Sequence, residues 1–154
     1  MNNIKRKLIR EQLDRKLMKL KGLGDITVPP TGWIYAARTA LNISLKQLGN
    51  RLGLTPQGIK EIEIREKKGS ITLKNLSDIA NALNLKLVYA LIPNDGSLQE
   101  LLERAAYDEA KKIVMRTSTT MKLENQENTE ERLQKAIQDK AEEIIREIPK
   151  YLWD

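Results

Sequence analysis

The chain lacks the residues on which most enzymatic and metal chemistry depends. Its 154 residues include no cysteine and no histidine. Without cysteine there is no disulfide framework, and without histidine the commonest general base and the commonest metal ligand are both missing. These absences effectively exclude zinc chemistry and Ser-His or Cys-His catalysis. The sequence therefore predicts a protein that is not an enzyme and that needs no metal or other cofactor.

Long hydrophobic runs are missing as well. No apolar stretch approaches the roughly 20 residues that cross a bilayer. The N-terminus also lacks the continuous apolar segment of a secretory signal. We therefore expect a soluble, cytoplasmic protein with no membrane partner.

Charge is abundant but unevenly spread along the chain. Lysine and arginine outnumber aspartate and glutamate by eight to two in residues 1–21 and by nine to four in residues 33–92. In residues 93–154 the balance reverses to ten basic and fourteen acidic residues. A basic N-terminal part and an acidic C-terminal part indicate two different partners.

The spacing of apolar residues predicts a mainly α-helical protein in three segments. Residues 1–24 form a basic helix, residues 25–93 a domain of short helices, and residues 94–154 a helical extension. In the domain, Ser44, Thr55 and Thr72 have the character of residues that begin helices. LKLVYALIP, residues 85–93, alternates enough to predict a short strand.

The helical extension carries similar signals. Ser97 is expected to begin its first helix, and the weak helix formers at residues 117–120 are expected to interrupt or bend it. Asn128 or Thr129 should begin the last helix, which Pro149 should end.

The stretch SLKQLGNRLGLTPQGIKEIE, residues 44–63, has the form of two helices joined by a sharp turn. Together with its surroundings, residues 33–84, it resembles the XRE family of phage-repressor-like proteins. The resemblance implies a five-helix-like lambda-repressor-type fold whose second motif helix enters the DNA major groove.

The resemblance also implies which residues touch DNA. Gln57 is expected to be the strongest base reader, since its amide can both donate to and accept from adenine, although a phosphate contact is an open alternative. The other residues expected to face the groove are Gly58, Lys60 and Glu61. Contacts to phosphate, or simple solvated surface, are expected for Lys46, Gln47, Thr55, Lys67, Lys68, Ser70 and Lys74. For Arg38 and Glu63 the resemblance implies an intramolecular ion pair.

A second motif lies in the acidic part, where Thr120, Glu124 and Asn125 match the pattern [S/T]-x-x-x-E-[G/N]. It resembles the inhibitory helix of proteins that restrain Fic-domain adenylyltransferases. There the glutamate is implied to pair with an arginine that would otherwise bind the γ-phosphate of ATP. Fic enzymes need a motif histidine, so this chain could act only in trans. A solvated helix surface is the alternative.

The order of parts along residues 25–154, including TMKLEN and the terminal YLWD, resembles the mobile mystery protein A family. That family accompanies the Fic-domain mobile mystery protein B. The resemblance implies an antitoxin that binds DNA and a Fic toxin, as a homodimer or as a hetero-oligomer with the toxin. The alternative is a stand-alone transcriptional regulator whose acidic part dimerises or senses a ligand.

Two questions stay open at this point. Dimerisation could use the LKLVYAL segment, the basic N-terminal helix or the toxin itself. The N-terminal helix could contact DNA, cover the core of the helix-turn-helix domain or lie on a membrane.

Overall fold

The structure, a computed structural model, describes the backbone of residues 1–123 and 129–154 and the side chains of residues 1–118 and 129–154. Its α-helices in chain order are α1 (Asn3–Met18), α2 (Trp33–Ala40), α3 (Leu45–Leu52), α4 (Pro56–Lys68), α5 (Leu73–Ala82), α6 (Leu98–Leu123) and α7 (Glu130–Glu147). Short 3-10 turns occupy Leu23–Asp25 and Lys150–Trp153.

Contacts divide the chain into two compact units. The central unit contains residues 24–91, and the terminal unit contains residues 1–23 together with residues 92–154. The sequence predicts residues 1–24 as a separate segment, whereas the contacts place residues 1–23 in one unit with residues 92–154.

The central unit is built by short helices that each contribute a few large side chains to one core. These residues are Ile34 from α2, Leu48 from α3, Ile59 from α4, and Ile79 and Leu83 at α5. Leu48 and Ile59 are completely buried. This arrangement confirms the mainly α-helical, helix-turn-helix fold, although four α-helices rather than five form the unit.

The predicted strand at residues 85–93 is wrong: the described residues contain no strand. Asn84, which follows the C-cap residue Leu83 of α5, adopts a φ of 59°, and residues 85–93 form no helix, turn or bend. A strand exists only when its backbone hydrogen-bonds to a neighbouring strand, and this segment finds none in the described chain. Its alternating sequence also lacks the period that a fifth helix of the unit would need.

In the terminal unit α6 and α7 form an antiparallel helical hairpin, here called the C-terminal hairpin. Its core consists of Leu102, Ala106, Ala110, Ile137, Ala141, Ile144 and Leu152. Three of the seven are alanines, whose small side chains let the two helices approach closely. Of the interruption or bend expected at residues 117–120, the interruption is wrong, since α6 continues to Leu123; the bend stays a prediction. Thr117 hydrogen-bonds back to the carbonyl of Ile113 at 3.2 Å, a contact compatible with a continuous helix.

The basic helix α1 packs against the start of α6. The Asp14 carboxylate accepts hydrogen bonds from the backbone N–H groups of Leu98 at 2.8 Å and Gln99 at 3.1 Å. The Arg10 guanidinium donates to the Gln99 side chain at 2.7 Å. Of the roles considered for α1, packing is therefore observed, but on α6.

The start of α6 is completed by its own residues. As expected, Ser97 caps it: the Ser97 hydroxyl accepts from the N–H of Glu100 at 3.1 Å, and the Glu100 carboxylate accepts from the N–H of Ser97 at 3.2 Å. Thr129 begins α7 by accepting from the N–H of Arg132. No helix in the described part of the chain is long and apolar enough to cross a membrane.

Candidate nucleic-acid interface

The helix-turn-helix motif consists of α3, a turn at residues 53–55, and α4. Ser44 caps α3 in a reciprocal pair with Gln47, and Thr55 caps α4 by accepting from the N–H of Gly58 at 3.0 Å. Pro56 occupies the first position of α4, where its missing N–H costs least. Gly53 ends α3 with a φ of 67°, a conformation that side chains disfavour. These local signals confirm the helix boundaries expected from the sequence.

Gly49 sets how closely the turn returns to α3. The N–H of Leu54 donates to the carbonyl of Gly49 at 2.8 Å. A Cβ atom built on Gly49 would lie 2.4 Å from the carbonyl oxygen of Leu54, closer than real Cβ contacts. Only glycine therefore permits this crossing of chain segments.

A buried ion pair fixes α2 to α4. The Nε atom of Arg38 donates to Glu63 at 2.5 Å, and its terminal nitrogens donate to Glu63 at 3.3 Å and to the carbonyl of Ile43 at 2.9 Å. Both side chains are about nine-tenths buried. The expected intramolecular role of Arg38 and Glu63 is confirmed.

Sequence reasoning missed a second contact between the same helices. The Glu66 carboxylate accepts from the N–H of Trp33 at 2.6 Å and from the N–H of Ile34 at 2.7 Å. It thus caps α2 from α4, since Gly32, which precedes α2, supplies no side chain for that purpose. Nothing local in the sequence indicates a cap from more than 30 residues away.

The solvent-facing side of α4 carries the residues expected to read bases. Ile59 and Glu63 are buried, and Gln57, Lys60 and Glu61 lie exposed on the other side of the helix. Gly58 is partly buried, and a Cβ there would lie 3.2 Å from the Thr55 hydroxyl, which accepts the Gly58 N–H. The structure thus gives Gly58 a role in the cap of α4.

Two further residues of α4 share this exposed surface but are not among the residues expected to contact DNA. Ile64 and Arg65 are exposed. Ile64 follows Gln57 by seven residues and Arg65 follows Glu61 by four, spacings that return to the same side of a helix, so periodicity alone indicates them. Ile64 would add an apolar side chain suited to the methyl group of thymine.

The residues expected to contact phosphate are all exposed, and several also have structural contacts. Lys46 and Gln47 lie in the first turn of α3, where the Gln47 side-chain oxygen accepts from the N–H of Ser44 at 2.8 Å. The Gln47 amide nitrogen remains as a donor. The remaining residues lie at the start of α4, at its end or at the start of α5: Thr55, Lys67, Lys68, Ser70 and Lys74.

Charge on the central unit is strongly one-sided once internal contacts are considered. Arg38 and Glu63 are buried against each other, and Glu66 caps α2. The acidic side chains that remain exposed in residues 33–91 are Glu61 and Asp78. The exposed basic ones are Lys46, Arg51, Lys60, Arg65, Lys67, Lys68, Lys74 and Lys86. A surface with this balance attracts a polyanion.

The second motif falls outside what can be described. Thr120 belongs to the backbone of α6, but its side chain, and all of Glu124 and Asn125, lie outside the described residues. Nearby, α6 and α7 border a cleft lined by Thr117, Ser118 and Arg132 among others. At the C-terminus Leu152 is buried in the hairpin core, whereas Tyr151 and Trp153 are about half exposed. No cluster of acidic side chains suited to a metal ion occurs in the described part of the chain.

Comparison with protein-family models gives one match, to the family described as Helix-turn-helix, over residues 34–89. The chain therefore carries an XRE-type helix-turn-helix domain, a DNA-binding regulatory domain, within its central unit. No curated protein and no solved structure matches the chain significantly. The match ends before α6.

Proposed function

We propose that this protein is an antitoxin: it binds operator DNA through α4, and it inhibits a Fic-domain adenylyltransferase through the motif at Thr120, Glu124 and Asn125. The observation that supports the DNA-binding half of this proposal is the exposed face of α4. The capped helix-turn-helix positions that face. Repression of the operon that encodes both proteins would follow from the two activities together.

In the DNA complex, the start of α4 enters the major groove. Gln57 is the principal base reader, with Lys60 and Glu61 beside it. Lys46, Gln47, Thr55, Lys67, Lys68, Ser70 and Lys74 hold the phosphate backbone, which positions the helix without reading sequence. The eight exposed basic side chains of the unit support this division of roles.

The DNA proposal is tested by selecting bound duplexes from a random pool and then measuring affinity for the selected site. Gln57→Ala is expected to relax the preference at one base pair and to lose about 1–3 kcal/mol of discrimination. Gln138→Ala, which removes an exposed glutamine on α7, is the matched control. Equal sequence preferences for the two variants would remove Gln57 from the base-reading role.

Salt dependence tests the phosphate contacts separately. With about three contacts per subunit in a dimer, the plot of log affinity against log salt concentration should have a slope near −5. Lys68→Gln should make that slope less steep and weaken all sequences alike. A slope near zero for the wild type would count against phosphate recognition by this unit.

The Fic part of the proposal is supported by the sequence. The motif has the required spacing, the chain resembles a family that accompanies a Fic-domain protein, and it contains no histidine with which to perform the Fic reaction itself. Glu124 would occupy the arginine that the γ-phosphate of ATP needs, and two anions cannot share that position. Thr120 would act as a hydroxyl partner and Asn125 as the small polar neighbour.

The test is AMP transfer by a Fic-domain protein encoded beside this chain. Wild-type protein should suppress transfer, and Glu124→Gln should bind the enzyme but leave transfer active. Glu131→Gln, which neutralises an exposed carboxylate in the first turn of α7, should inhibit like the wild type. Inhibition by all three would indicate occlusion through another surface, and inhibition by none would leave the stand-alone transcriptional regulator.

A further inference from the structure

Residues 85–91, LKLVYAL, follow α5 as a segment without helix, turn or bend. Its start is fixed, because the N–H of Leu85 donates to the carbonyl of Ala80 at 2.8 Å, directly after Asn84 with its φ of 59°. Within the described parts of the chain, no hydrogen bond reaches the backbone N–H or C=O groups of residues 86–91. The segment therefore presents a row of free donors and acceptors, as an edge strand does.

The side chains of the segment are exposed except that of Leu87, which is partly buried. Val88 is 63% exposed, Tyr89 71% and Leu91 93%. In extended geometry successive side chains point to opposite faces. One face then consists entirely of large apolar residues, namely Leu85, Leu87, Tyr89 and Leu91, and the other consists of Lys86, Val88 and Ala90. An apolar strip of this kind marks an interaction surface.

We propose that residues 85–91 pair antiparallel with the same residues of a second copy of this chain. Two identical strands paired in this way are related by a twofold axis perpendicular to the ribbon. Residues directly opposite each other point to the same face of the ribbon. The twofold axis therefore passes between one residue and the same residue of the second copy. When all seven residues are paired, that residue is the central one, Val88.

The resulting pairs are chemically compatible. On the apolar face Leu85 lies opposite Leu91 and Leu87 opposite Tyr89, the aromatic and aliphatic pairs that stabilise sheets. On the other face Val88 meets its own copy and Lys86 lies opposite Ala90. The only charge of the segment therefore never faces a like charge, which would destabilise the ribbon.

The symmetry of such a ribbon favours a second copy as the occupant. Repressor-like domains bind paired half-sites related by a twofold axis, and the ribbon supplies a twofold axis at the end of the central unit. The match between the ribbon axis and paired half-sites rests on the proposed DNA binding. The dimer itself does not, and it can be measured without DNA.

The chain contains no cysteine, so single cysteines report on the register directly. Val88→Cys should form a disulfide-linked dimer on oxidation of the full chain. Lys86→Cys, on the same face, is the matched control, because its own copy would lie four residues along the ribbon, about 13 Å away. A disulfide needs Cα atoms within about 7 Å. A mixture of the Lys86→Cys and Ala90→Cys chains should cross-link, whereas neither should do so alone.

Proline substitution tests the proposed backbone hydrogen bonds between the two copies without disturbing the fold of either chain. Successive residues direct their N–H groups to opposite edges of a strand, so either Val88 or Tyr89 must donate to the second copy. One of Val88→Pro and Tyr89→Pro should therefore raise the dimer Kd at least about tenfold in sedimentation. The helical circular dichroism should stay the same in both, because neither N–H is bonded to any residue that the structure describes.

Each of these results can overturn the ribbon. A monomeric wild-type chain would do so, leaving the strip to a different protein. So would a dimer in which Val88→Cys cross-links no better than Lys86→Cys, or one that neither proline weakens. A cross-linked Val88→Cys dimer that binds no DNA would instead contradict the proposed function and leave the ribbon intact.

Discussion

The central unit and the C-terminal hairpin are both helical, but different forces position their helices. In the central unit the helices have 8 to 13 residues, and polar contacts such as Arg38 to Glu63 fix their relative placement. In the hairpin, helices of 26 and 18 residues pack along a continuous apolar stripe, and the ion pair of Arg104 with Asp95 is exposed. Short helices offer few apolar contacts each, so specific polar contacts must define their geometry.

This difference also explains why one unit is recognisable and the other is not. The sharp turn, its glycines and its capping residues form a short pattern that a family model matches. A stripe of Leu, Ile and Ala is common to many helical hairpins and carries no such signature.

The largest expected contrast concerns the two ion pairs. Glu63→Ala should destabilise the protein by about 3–5 kcal/mol, because it leaves the Arg38 charge buried without its partner. Asp95→Ala, which breaks the exposed pair with Arg104, should cost less than about 1 kcal/mol. Urea denaturation of both variants measures the difference. Equal losses would contradict the distinction between buried and exposed pairs.

A double replacement sharpens the same comparison. Arg38→Met with Glu63→Leu removes both charges and should recover most of the stability that Glu63→Ala loses, since apolar residues of similar volume often replace buried ion pairs at little cost. If the double variant were as unstable as the single one, the geometry of the pair itself would be required for the fold.

The next effect concerns the close crossing at Gly49. Gly→Ala in an unobstructed helix usually gains up to about 1 kcal/mol. Here Gly49→Ala should instead lose about 1–3 kcal/mol, because the new Cβ meets the backbone oxygen of Leu54. Gly24→Ala is the control, since no atom lies within 4 Å of its Cβ position. Thermal unfolding gives both values, and a more stable Gly49→Ala protein would refute the steric argument.

The terminal unit depends on a cap supplied by another helix. Asp14→Ala should cost about 1–2 kcal/mol, because the first N–H groups of α6 lose their acceptor. Hydrogen exchange at Leu98 and Gln99 should accelerate. Glu11→Ala removes an exposed acid from the same helix and should leave these amides protected. Unchanged exchange in Asp14→Ala would mean that the cap contributes nothing.

The smallest expected loss of stability is the same in the central unit and in the C-terminal hairpin. Thr55 and Thr129 cap α4 and α7 through the same kind of hydrogen bond, so Thr55→Ala and Thr129→Ala should each cost about 1 kcal/mol. Only Thr55→Ala should also weaken DNA binding, since Thr55 begins the helix proposed to enter the groove. Equal DNA affinities would limit Thr55 to its structural role.

Much of the fold could be predicted because its signals are local. Five helices begin at residues whose side chains accept a hydrogen bond from the amide three residues further on, namely Ser44, Thr55, Thr72, Ser97 and Thr129. The candidate DNA-binding residues are those that the resemblance to the XRE family implies, and the cap at Thr55 fixes where α4 begins. Their contacts with DNA stay predictions.

Other features depend on residues distant in sequence and were missed or wrong. Asp14 and Glu66 cap helices that begin 84 and 33 residues away, and no spacing rule points to them. The strand expected at residues 85–93 is wrong for the same reason. The alternation of apolar residues is present in the sequence, but a strand also requires a second strand to pair with, and the described chain provides none.

The sequence by itself therefore determined where most helices begin and end and which side of each is apolar. Caps, turns and apolar periodicity depend on residues that lie within a few positions of one another in the sequence. Only the tertiary structure decided that α1 lies on α6, that Glu66 caps α2, and that LKLVYAL finds no partner strand among the described residues. These outcomes depend on which surfaces meet, and that is settled by packing of the whole chain.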